Sequence, residues 1–143
     1  MDMAVLLVAD EPAFAETVSK RLARRNFIVI QAPGGAEAIE VLDRDKRIDV
    51  VILDVKMPEM DGMHTLREIK RLFPMMEVIM LTGHGTVESA IQGMRLGAFD
   101  YLTKPCNIDK LVAKVQEAVE LKRMREGRII EERVEEINVR RGI

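Results

Sequence analysis

The sequence predicts an α/β protein in which helices cover both faces of a parallel β-sheet. Five short apolar segments of strand length alternate with segments whose apolar residues recur at helical spacing. The strand segments are almost continuously apolar, as parallel strands buried on both sides are. Parallel strands are joined by right-handed crossovers. Five of them fit the flavodoxin-like doubly wound order 2-1-3-4-5, which sets the first and third strands side by side.

The first half of the chain contains three of these strands and two helices. An apolar run at residues 3–9 predicts the first strand, and Pro12 suits the first turn of the helix that follows. The apolar face of this helix consists of Phe14, Val18 and Leu22. Residues 27–30 form the second strand, residues 33–35 a Pro-Gly-Gly turn, and residues 50–53 the third strand. The short helix after the turn directs three residues toward the core: Ala38, Ile39 and Leu42.

The second half contains two strands and three helices. Gly62 precedes the third helix, whose core-facing residues are Leu66, Ile69, Leu72 and Phe73. Residues 77–81 are predicted to form the fourth strand, and Thr86 could cap the fourth helix. The core-facing residues of the fourth helix are Ala90, Ile91 and Met94. Residues 99–102 form the fifth strand, and Asn107 caps the last helix. The buried stripe of the last helix comprises Ile108, Leu111, Val112, Val115 and Val119.

Composition and charge exclude several classes of protein. A chain of 143 residues with 48% hydrophobic residues can build one domain with its own core. The net charge of -2 and the lack of a long basic block argue against direct nucleic-acid binding. The single cysteine, Cys106, cannot form an internal disulfide, and the amino terminus lacks the basic region of a signal peptide. Because no apolar run is long enough to span a bilayer, we expect a cytoplasmic protein without membrane contact.

The last part of the chain differs in composition from the rest. We expect a domain at residues 1–121 and a charged helical extension at residues 122–143. Three apolar residues of the extension keep a heptad-like spacing: Ile130, Val134 and Ile137. Gly127 interrupts the pattern, and the repeat is too short to establish a coiled coil. The extension is predicted to be a linker to an output domain or a partner-binding arm, and a frayed, solvated helix is the alternative.

Polar residues follow four of the five predicted strands at their carboxyl ends. They are Asp10 and Glu11 after the first strand, Asp54 at the third, Thr82 at the fourth and Lys104 at the fifth. Open α/β sheets bind ligands at this edge, where the strand order reverses. Asp10 and Asp54 would then be neighbours, and clustered carboxylates that repel one another need a cation.

Each of these residues has a simpler interpretation when it is considered alone. Asp10 could cap the following helix, Thr82 could satisfy a loop amide, and Lys104 could be a solvated lysine. The convergence of two acids, a hydroxyl and an ammonium at one edge of the sheet favours a functional site. Neither of the common glycine-rich phosphate loops occurs in the sequence, so nucleotide binding has no support.

Four segments of the sequence stand out together: LLVADE (6–11), LDVKMPEMDG (53–62), LTGHG (81–85) and GAFDYLTKP (97–105). Together they resemble the receiver domains of bacterial two-component response regulators, and those of the nitrogen-regulation type in particular. They lie at strand ends in the order that the family has, and the resemblance covers about residues 4–121. It implies that the carboxylate of Asp54 accepts a phosphoryl group from a sensor histidine kinase.

The resemblance also implies how the site supplies positive charge. Asp10, Asp54 and the backbone carbonyl of Lys56 hold Mg²⁺, which keeps several waters. Lys104 pairs with one phosphoryl oxygen, and the Thr82 hydroxyl donates a hydrogen bond to another. The metal offsets the repulsion between an anionic nucleophile and an anionic phosphoryl group.

A conformational switch is the third implication of the resemblance. When Thr82 moves toward the phosphoryl group, the ring of Tyr101 enters the vacated space, and the face built by helix four, strand five and helix five changes. Lys56 and His84 border the attacking water and tune the lifetime of the acyl phosphate. The implied partners are the kinase and an output domain or partner protein, with a second copy of the chain as a further candidate.

The sequence departs from the family at Ala9, where receivers usually carry a second acidic residue that holds a metal-bound water. Loss of such an outer-shell group typically costs about 10 to 100-fold in metal affinity or activity. The rival hypothesis is therefore a degenerate receiver that acts as a phosphate-independent protein-interaction domain. An independent flavodoxin-like enzyme would need a cofactor loop that the sequence lacks, so we expect a signalling domain rather than an enzyme.

Overall fold

The structure is a computed structural model and describes residues 3–55, 60–83 and 87–140. Strands and helices alternate along these residues. The strands are β1 (Met3–Val8), β2 (Phe27–Ala32), β3 (Ile48–Val55), β4 (Glu77–Thr82) and β5 (Asp100–Thr103). The helices are α1 (Pro12–Ala23), α2 (Gly35–Arg44), α3 (Met60–Leu72), α4 (Val87–Arg95) and α5 (Ile108–Arg140).

The strands form one parallel sheet in the order β2-β1-β3-β4-β5. Val8 of β1 lies opposite Leu53 of β3, and Asp54 of β3 lies opposite Leu81 of β4. The chain reverses its direction of winding between β1 and β3, so the carboxyl ends of these two strands border one crevice. The fold class and the strand order predicted from the sequence are both confirmed.

Two apolar clusters fill the space between the sheet and its helices. Because alternate strand residues point to opposite faces, Leu6 and Val51 belong to the cluster beneath α2 and α3. Leu7 and Ile52 belong to the cluster beneath α1 and α5. All four side chains are fully buried, and burial of such a side chain stabilises the fold by about 1.5–3 kcal/mol.

Helix α4 packs through small residues rather than through the large ones that its spacing predicted. Ala90 and Gly93 are its buried positions, and a Cβ at Gly93 would collide with the side chain of Met80. Because the backbone of α4 approaches β4 this closely, Ile91 and Met94 turn outward and are 46% and 44% exposed. The prediction that Ile91 and Met94 face the core is wrong.

The two ends of α3 also differ from the prediction. The helix begins at Met60, so Gly62 lies in its first turn and not before it. A Cβ at Gly62 would lie 3.0 Å from a methyl carbon of Val55, so glycine lets this turn approach β3 closely. At the other end α3 stops at Leu72, which is exposed because the chain turns there and packs Phe73 against the core instead.

Helix α5 is continuous from Ile108 to Arg140. Asn107 caps it as predicted, because its Oδ1 accepts a hydrogen bond from the backbone N–H of Lys110 at 3.1 Å. The helix passes through Gly127 without interruption, and the predicted division of the chain after residue 121 stays a prediction. Despite this length, neither α5 nor any other helix in the described ranges is long and apolar enough to cross a membrane.

The amino edge of the sheet anchors the part of α5 that extends beyond the core. Asp49, at the start of β3, is buried, and its Oδ2 accepts a hydrogen bond from the backbone N–H of Ala4 at 3.0 Å. The same oxygen lies 3.2 Å from Nη2 of Arg123. Beyond this anchor the apolar residues of the helix are exposed: Met124, Ile129, Ile130, Val134, Ile137 and Val139.

Candidate functional site

Asp54 is a deeply buried polar group near the carboxyl end of β3. Its side chain is 1% exposed, and Nζ of Lys104 lies 2.6 Å from its Oδ1 as an ion pair. The Lys104 ammonium is thus the cation that compensates the charge of this buried carboxylate. Within the described residues neither carboxylate oxygen of Asp54 accepts a hydrogen bond.

Asp10 and Asp54 line one cavity, which has a volume of about 640 Å³. Ala9, the position where the sequence departs from the receiver pattern, lines the same cavity. The N-cap residue of α1 is Glu11, whose side chain makes no capping hydrogen bond. The structure thus brings the two predicted acids and Ala9 to one place.

A further wall of this cavity comes from α2 and α3. Gly34 and Gly35 at the start of α2 and His64 and Glu68 of α3 line it. Arg71 donates two hydrogen bonds to Oε2 of Glu68, which hold the pKa of the Glu68 carboxyl below its ordinary value. Because Arg71 pairs with Glu68, this carboxylate adds little net negative charge to the cavity.

Lys104 reaches the site from the loop after β5. Its backbone N–H donates to the carbonyl oxygen of Thr82 at 2.8 Å, which prolongs the pairing of β4 with β5. Its ammonium contacts the Asp54 carboxylate, and its peptide bond to Pro105 is cis. Lys104 is thus a member of the site and not a solvated lysine at a strand end.

Thr82 ends β4 between two strands, opposite Val55 of β3 and Thr103 of β5. It is 1% exposed, and its Oγ1 has no hydrogen-bond partner in the part of the chain that the structure describes. Tyr101 lies on β5 and is 38% exposed. Thr82 therefore has an unused donor and acceptor in the interior, while the ring of Tyr101 lies toward solvent.

Several predicted residues lie outside the described ranges. They are Lys56, His84 and Thr86. Among the residues that are described, no group of three or more His, Cys, Asp or Glu side chains could hold one metal ion. The donors that fit a hard cation here are thus the carboxylates of Asp10 and Asp54, and Mg²⁺ needs only one or two carboxylates when it keeps several waters. The unsatisfied oxygens of Asp54 support this fit.

Sequence reasoning missed one residue of the site, Phe14. It was assigned to the apolar face of α1, and it does pack against the cluster beneath α1 and α5. The structure also sets its ring under the Lys104 ammonium, with Nζ 4.2 Å from the ring centroid. The available signal was the start of α1 at Pro12, directly after the acidic pair, because this start places the first turn of the helix beside the site.

Sequence comparison finds a response regulator family model and two similar regulatory proteins. A family model described as the response regulator receiver domain matches residues 5–116. The transcriptional regulatory protein GlrR of Escherichia coli is 40% identical over 116 residues, which are 81% of this chain and 26% of that protein. A putative NtrX-like response regulator of Rickettsia felis is 35% identical over 127 residues, which are 87% of this chain and 26% of that protein. This chain thus spans about a quarter of the length of these relatives.

Solved structures agree with the sequence relatives. A response regulator receiver domain protein from Clostridium thermocellum is 36% identical and has a TM-score of 0.79, with 85% of this chain and 98% of that chain covered. NtrX from Brucella abortus, solved in complex with ADP, is 28% identical and has a TM-score of 0.80 over 89% of this chain and 29% of that chain. The similarity covers the sheet and its helices.

Proposed function

This chain belongs to the response regulator receiver domain family, and we propose that it is a phosphorylation-switched signalling domain whose phosphoacceptor is Asp54. Receiver domains of this family act in two-component signalling. The observation that carries the proposal is the carboxylate of Asp54. It is buried, its oxygens accept no hydrogen bond from the described residues, and a lysine ammonium lies 2.6 Å away.

Asp54 supplies the nucleophile in the proposed reaction. A carboxylate oxygen attacks the phosphorus of a phosphohistidine on the kinase, and an O–P bond forms as the P–N bond breaks. The electron pair of the P–N bond stays on the imidazole nitrogen, which takes up a proton. Attack and departure take place in line, and the donor would approach Asp54 through the cavity that this residue lines. The product is an acyl phosphate on Asp54.

Both reactants are anionic, so the site must supply positive charge where the charge develops. The ammonium of Lys104 already lies at Asp54 and pairs with a phosphoryl oxygen once the group arrives. Asp10, Asp54 and the backbone carbonyl of Lys56 would hold Mg²⁺, which neutralises charge on the phosphoryl oxygens when it is bound. The carbonyl of Lys56 enters through the family resemblance alone, since this residue lies outside the described ranges.

The buried hydroxyl of Thr82 and the half-exposed ring of Tyr101 form the proposed switch. The hydroxyl gains a strong acceptor when a phosphoryl group is attached to Asp54, because bonds to anionic oxygens are stronger than neutral ones. Movement of Thr82 toward that acceptor opens space for the Tyr101 ring. His84 and Lys56, by the same resemblance, border the water that hydrolyses the acyl phosphate and thereby set its lifetime.

The proposed readout of the switch is the face formed by α4, β5 and α5. Its exposed apolar residues are Val87, Ile91, Met94 and Tyr101. We propose that a sensor histidine kinase phosphorylates the chain and that an output domain or partner protein responds to this face. A second copy of the chain is an alternative partner for it. The relatives named as transcriptional regulators are longer than this chain, which supports an output domain.

Incubation with acetyl phosphate and Mg²⁺, followed by intact-mass measurement, tests the proposal. Wild type should gain the mass of one phosphoryl group, and Asp54→Asn should gain none while it keeps the fold. Asp43→Asn, an exposed aspartate of α2, is the matched control and should behave as wild type. A phosphoryl group on Asp54→Asn would refute the assignment of the acceptor.

The rival function is a degenerate receiver that works without phosphate, and Ala9 is the observation that favours it. An alanine lines the cavity at a position where the family usually has an acid. This rival predicts that wild type takes up no phosphate at any Mg²⁺ concentration. Uptake that requires more Mg²⁺ than a receiver with the acidic residue would instead support the phosphorylated switch.

A further inference from the structure

We propose that Phe14 is a positioning residue for phosphoryl transfer: the face of its ring holds the Lys104 ammonium beside the Asp54 carboxylate. The inference rests on the proposed function of Asp54. It concerns a residue that sequence reasoning assigned only to packing. It is based on the position of the Lys104 ammonium between the Phe14 ring and the Asp54 carboxylate.

The geometry joins three side chains from separate elements. Nζ of Lys104 lies 4.2 Å from the centroid of the Phe14 ring and 2.6 Å from Oδ1 of Asp54. A cation within about 6 Å of a ring centroid is attracted by the negative face of the ring. The Lys104 ammonium is therefore attracted both by the ring of Phe14 and by the carboxylate of Asp54.

Packing against the core can fix the ring of Phe14, whereas the side chain of Lys104 is flexible. Phe14 is half-buried and packs against the cluster beneath α1 and α5. Lys104 has a flexible four-carbon stem and loses rotamer freedom when its ammonium is held in one place. A ring that is fixed by the core therefore limits the positions that the ammonium can occupy before a phosphoryl group arrives.

An aromatic neighbour holds the ammonium without cancelling its charge. A carboxylate in the place of Phe14 would also fix the lysine, but it would neutralise the positive charge that two anionic reactants need. The ring face leaves the Lys104 ammonium free to pair with Asp54 and then with a phosphoryl oxygen. The ammonium has to shift by a small distance between these two acceptors, and the ring remains its neighbour throughout.

Phe14→Leu removes the ring face and keeps an apolar side chain against the core. We expect the maximal rate of phosphate uptake from acetyl phosphate to fall about 3- to 10-fold, the range that an exposed to partly buried cation–π contact supports. The acetyl phosphate concentration at half-maximal rate should change less, because the contact acts on charge during transfer. Phe14→Tyr keeps a ring face and should retain most of the rate.

The chain offers a matched control for the same substitution. Nζ of Lys46 lies 5.9 Å from the centroid of the Phe73 ring, and Phe73 packs against the cluster beneath α2 and α3. Phe73→Leu therefore also replaces a half-buried ring near a lysine, away from Asp54. It should leave the uptake rate unchanged. An equal loss of rate in Phe73→Leu and Phe14→Leu would overturn the inference, because general destabilisation would explain both.

Site-specific fluorination of Phe14 separates the ring face from packing. Added fluorines weaken the negative face and alter the shape of the ring little, so the rate should fall step by step with their number. This series keeps the test decisive if Phe14→Leu folds poorly. A rate that is independent of fluorination would contradict a role for the ring in holding the ammonium.

Nuclear magnetic resonance tests the contact without phosphorylation. The Lys104 ammonium lies over the ring, so the adjoining ε-methylene protons should be shifted upfield in wild type and in Asp54→Asn, and this shift should be lost in Phe14→Leu. If wild type takes up no phosphate, the proposed function fails, whereas the upfield shift still reports on the contact. If wild type takes up phosphate and Phe14→Leu does so at the same rate, only the inference about Phe14 fails.

Discussion

Arg125 of α5 pairs with Glu77 at the start of β4, with Nη1 of the arginine 2.7 Å from Oε1 of the glutamate. The Glu77 side chain is buried, whereas about half of the Arg125 side chain is exposed. Together with the contact between Arg123 and Asp49, this pair attaches α5 to the amino edge of two adjacent strands. The helix is thereby fixed to the sheet at the point where it leaves the core.

Arg125→Met keeps an apolar stem and leaves Glu77 without this guanidinium. We expect the free energy of unfolding to fall by about 1–3 kcal/mol, which is the cost of a buried acceptor left unsatisfied. Denaturant unfolding at neutral pH measures the change. Arg128→Met on the same helix is the control, because Arg128 contacts the Met124 sulfur and should cost little. Equal losses in the two variants would show that the Glu77 contact is not the cause.

Ala9→Asp adds a carboxylate beside Asp10 and Asp54. Ala9 is buried, so we expect the variant to be less stable than wild type without metal, through repulsion and desolvation. It should bind Mg²⁺ about 10-fold more tightly, as expected for a restored outer-shell group, and gain more thermal stability from it by mass action. Calorimetric titration and melting shifts measure both effects, with Ala9→Asn as the uncharged control. Equal or weaker Mg²⁺ affinity in Ala9→Asp would mean that position 9 does not act on the metal.

Gly127→Ala should stabilise the extension of α5. A Cβ at Gly127 meets nothing within 4 Å, and alanine is favoured over glycine in a helix interior by about 0.5–1 kcal/mol. Circular dichroism on heating should show greater helicity and a later loss of it. Gly93→Ala is the contrasting case, because its Cβ would meet the Sδ and Cε atoms of the buried Met80 side chain, which would have to shift. We therefore expect Gly93→Ala to stabilise less than Gly127→Ala, and an equal gain would contradict the close approach of α4 to β4.

Tyr101 gives a direct optical signal for the proposed switch. The chain has one tyrosine and no tryptophan, so its ultraviolet fluorescence reports on this ring alone. We expect acrylamide to quench Tyr101 less after phosphorylation, because the ring enters the space beside Thr82. Asp54→Asn should show no change with acetyl phosphate. Thr82→Ala should accept phosphate yet keep the quenching of the free form, and unchanged quenching in phosphorylated wild type would rule out movement of the ring.

Cys106 should be a slow nucleophile. Burial raises the pKa of its thiol, and the positive charges of Arg21 and Lys104 oppose this shift without reversing it. A raised pKa leaves less thiolate at pH 8 than an unfolded chain has, and the thiolate is the reactive form. Alkylation by iodoacetamide should therefore be slower in the folded protein than in denaturant, and its rate should still rise at pH values where a free thiol is already fully ionised. Equal rates in the two states would contradict the burial.

The fold could be predicted from the sequence because its signal is distributed over many residues. The nearly continuous apolar strands required a sheet that is covered on both faces, and their alternation with helices left few topologies. The end of each strand then determined where Asp10, Asp54, Thr82 and Lys104 would lie. These positions follow from the local sequence together with the rule that open α/β sheets place their sites at the carboxyl ends of the strands.

The errors arose where packing between distant segments decided the outcome. Spacing alone favoured Ile91 and Met94 as core residues, but Gly93 lets α4 approach β4 so closely that only small side chains fit between them. The contact of Phe14 with Lys104 joins the first helix to the loop after the last strand. The start of α1 at Pro12 indicates that the first turn lies beside the site, but it does not indicate which side chain Phe14 contacts. Gly127 was overrated as a breaker, since one glycine costs a helix about 1 kcal/mol.

Strand β3 carries Asp49 at its start and Asp54 near its end. Five steps along a strand span about 17 Å, and β3 is hydrogen-bonded on both sides by β1 and β4. Segments of this kind open only with global unfolding, so their amides exchange with solvent most slowly. Asp49, which anchors α5, and Asp54, the proposed phosphoacceptor, therefore lie on the same rigid strand. In the proposed function, α4 and β5 repack relative to β3, and β3 itself stays in place.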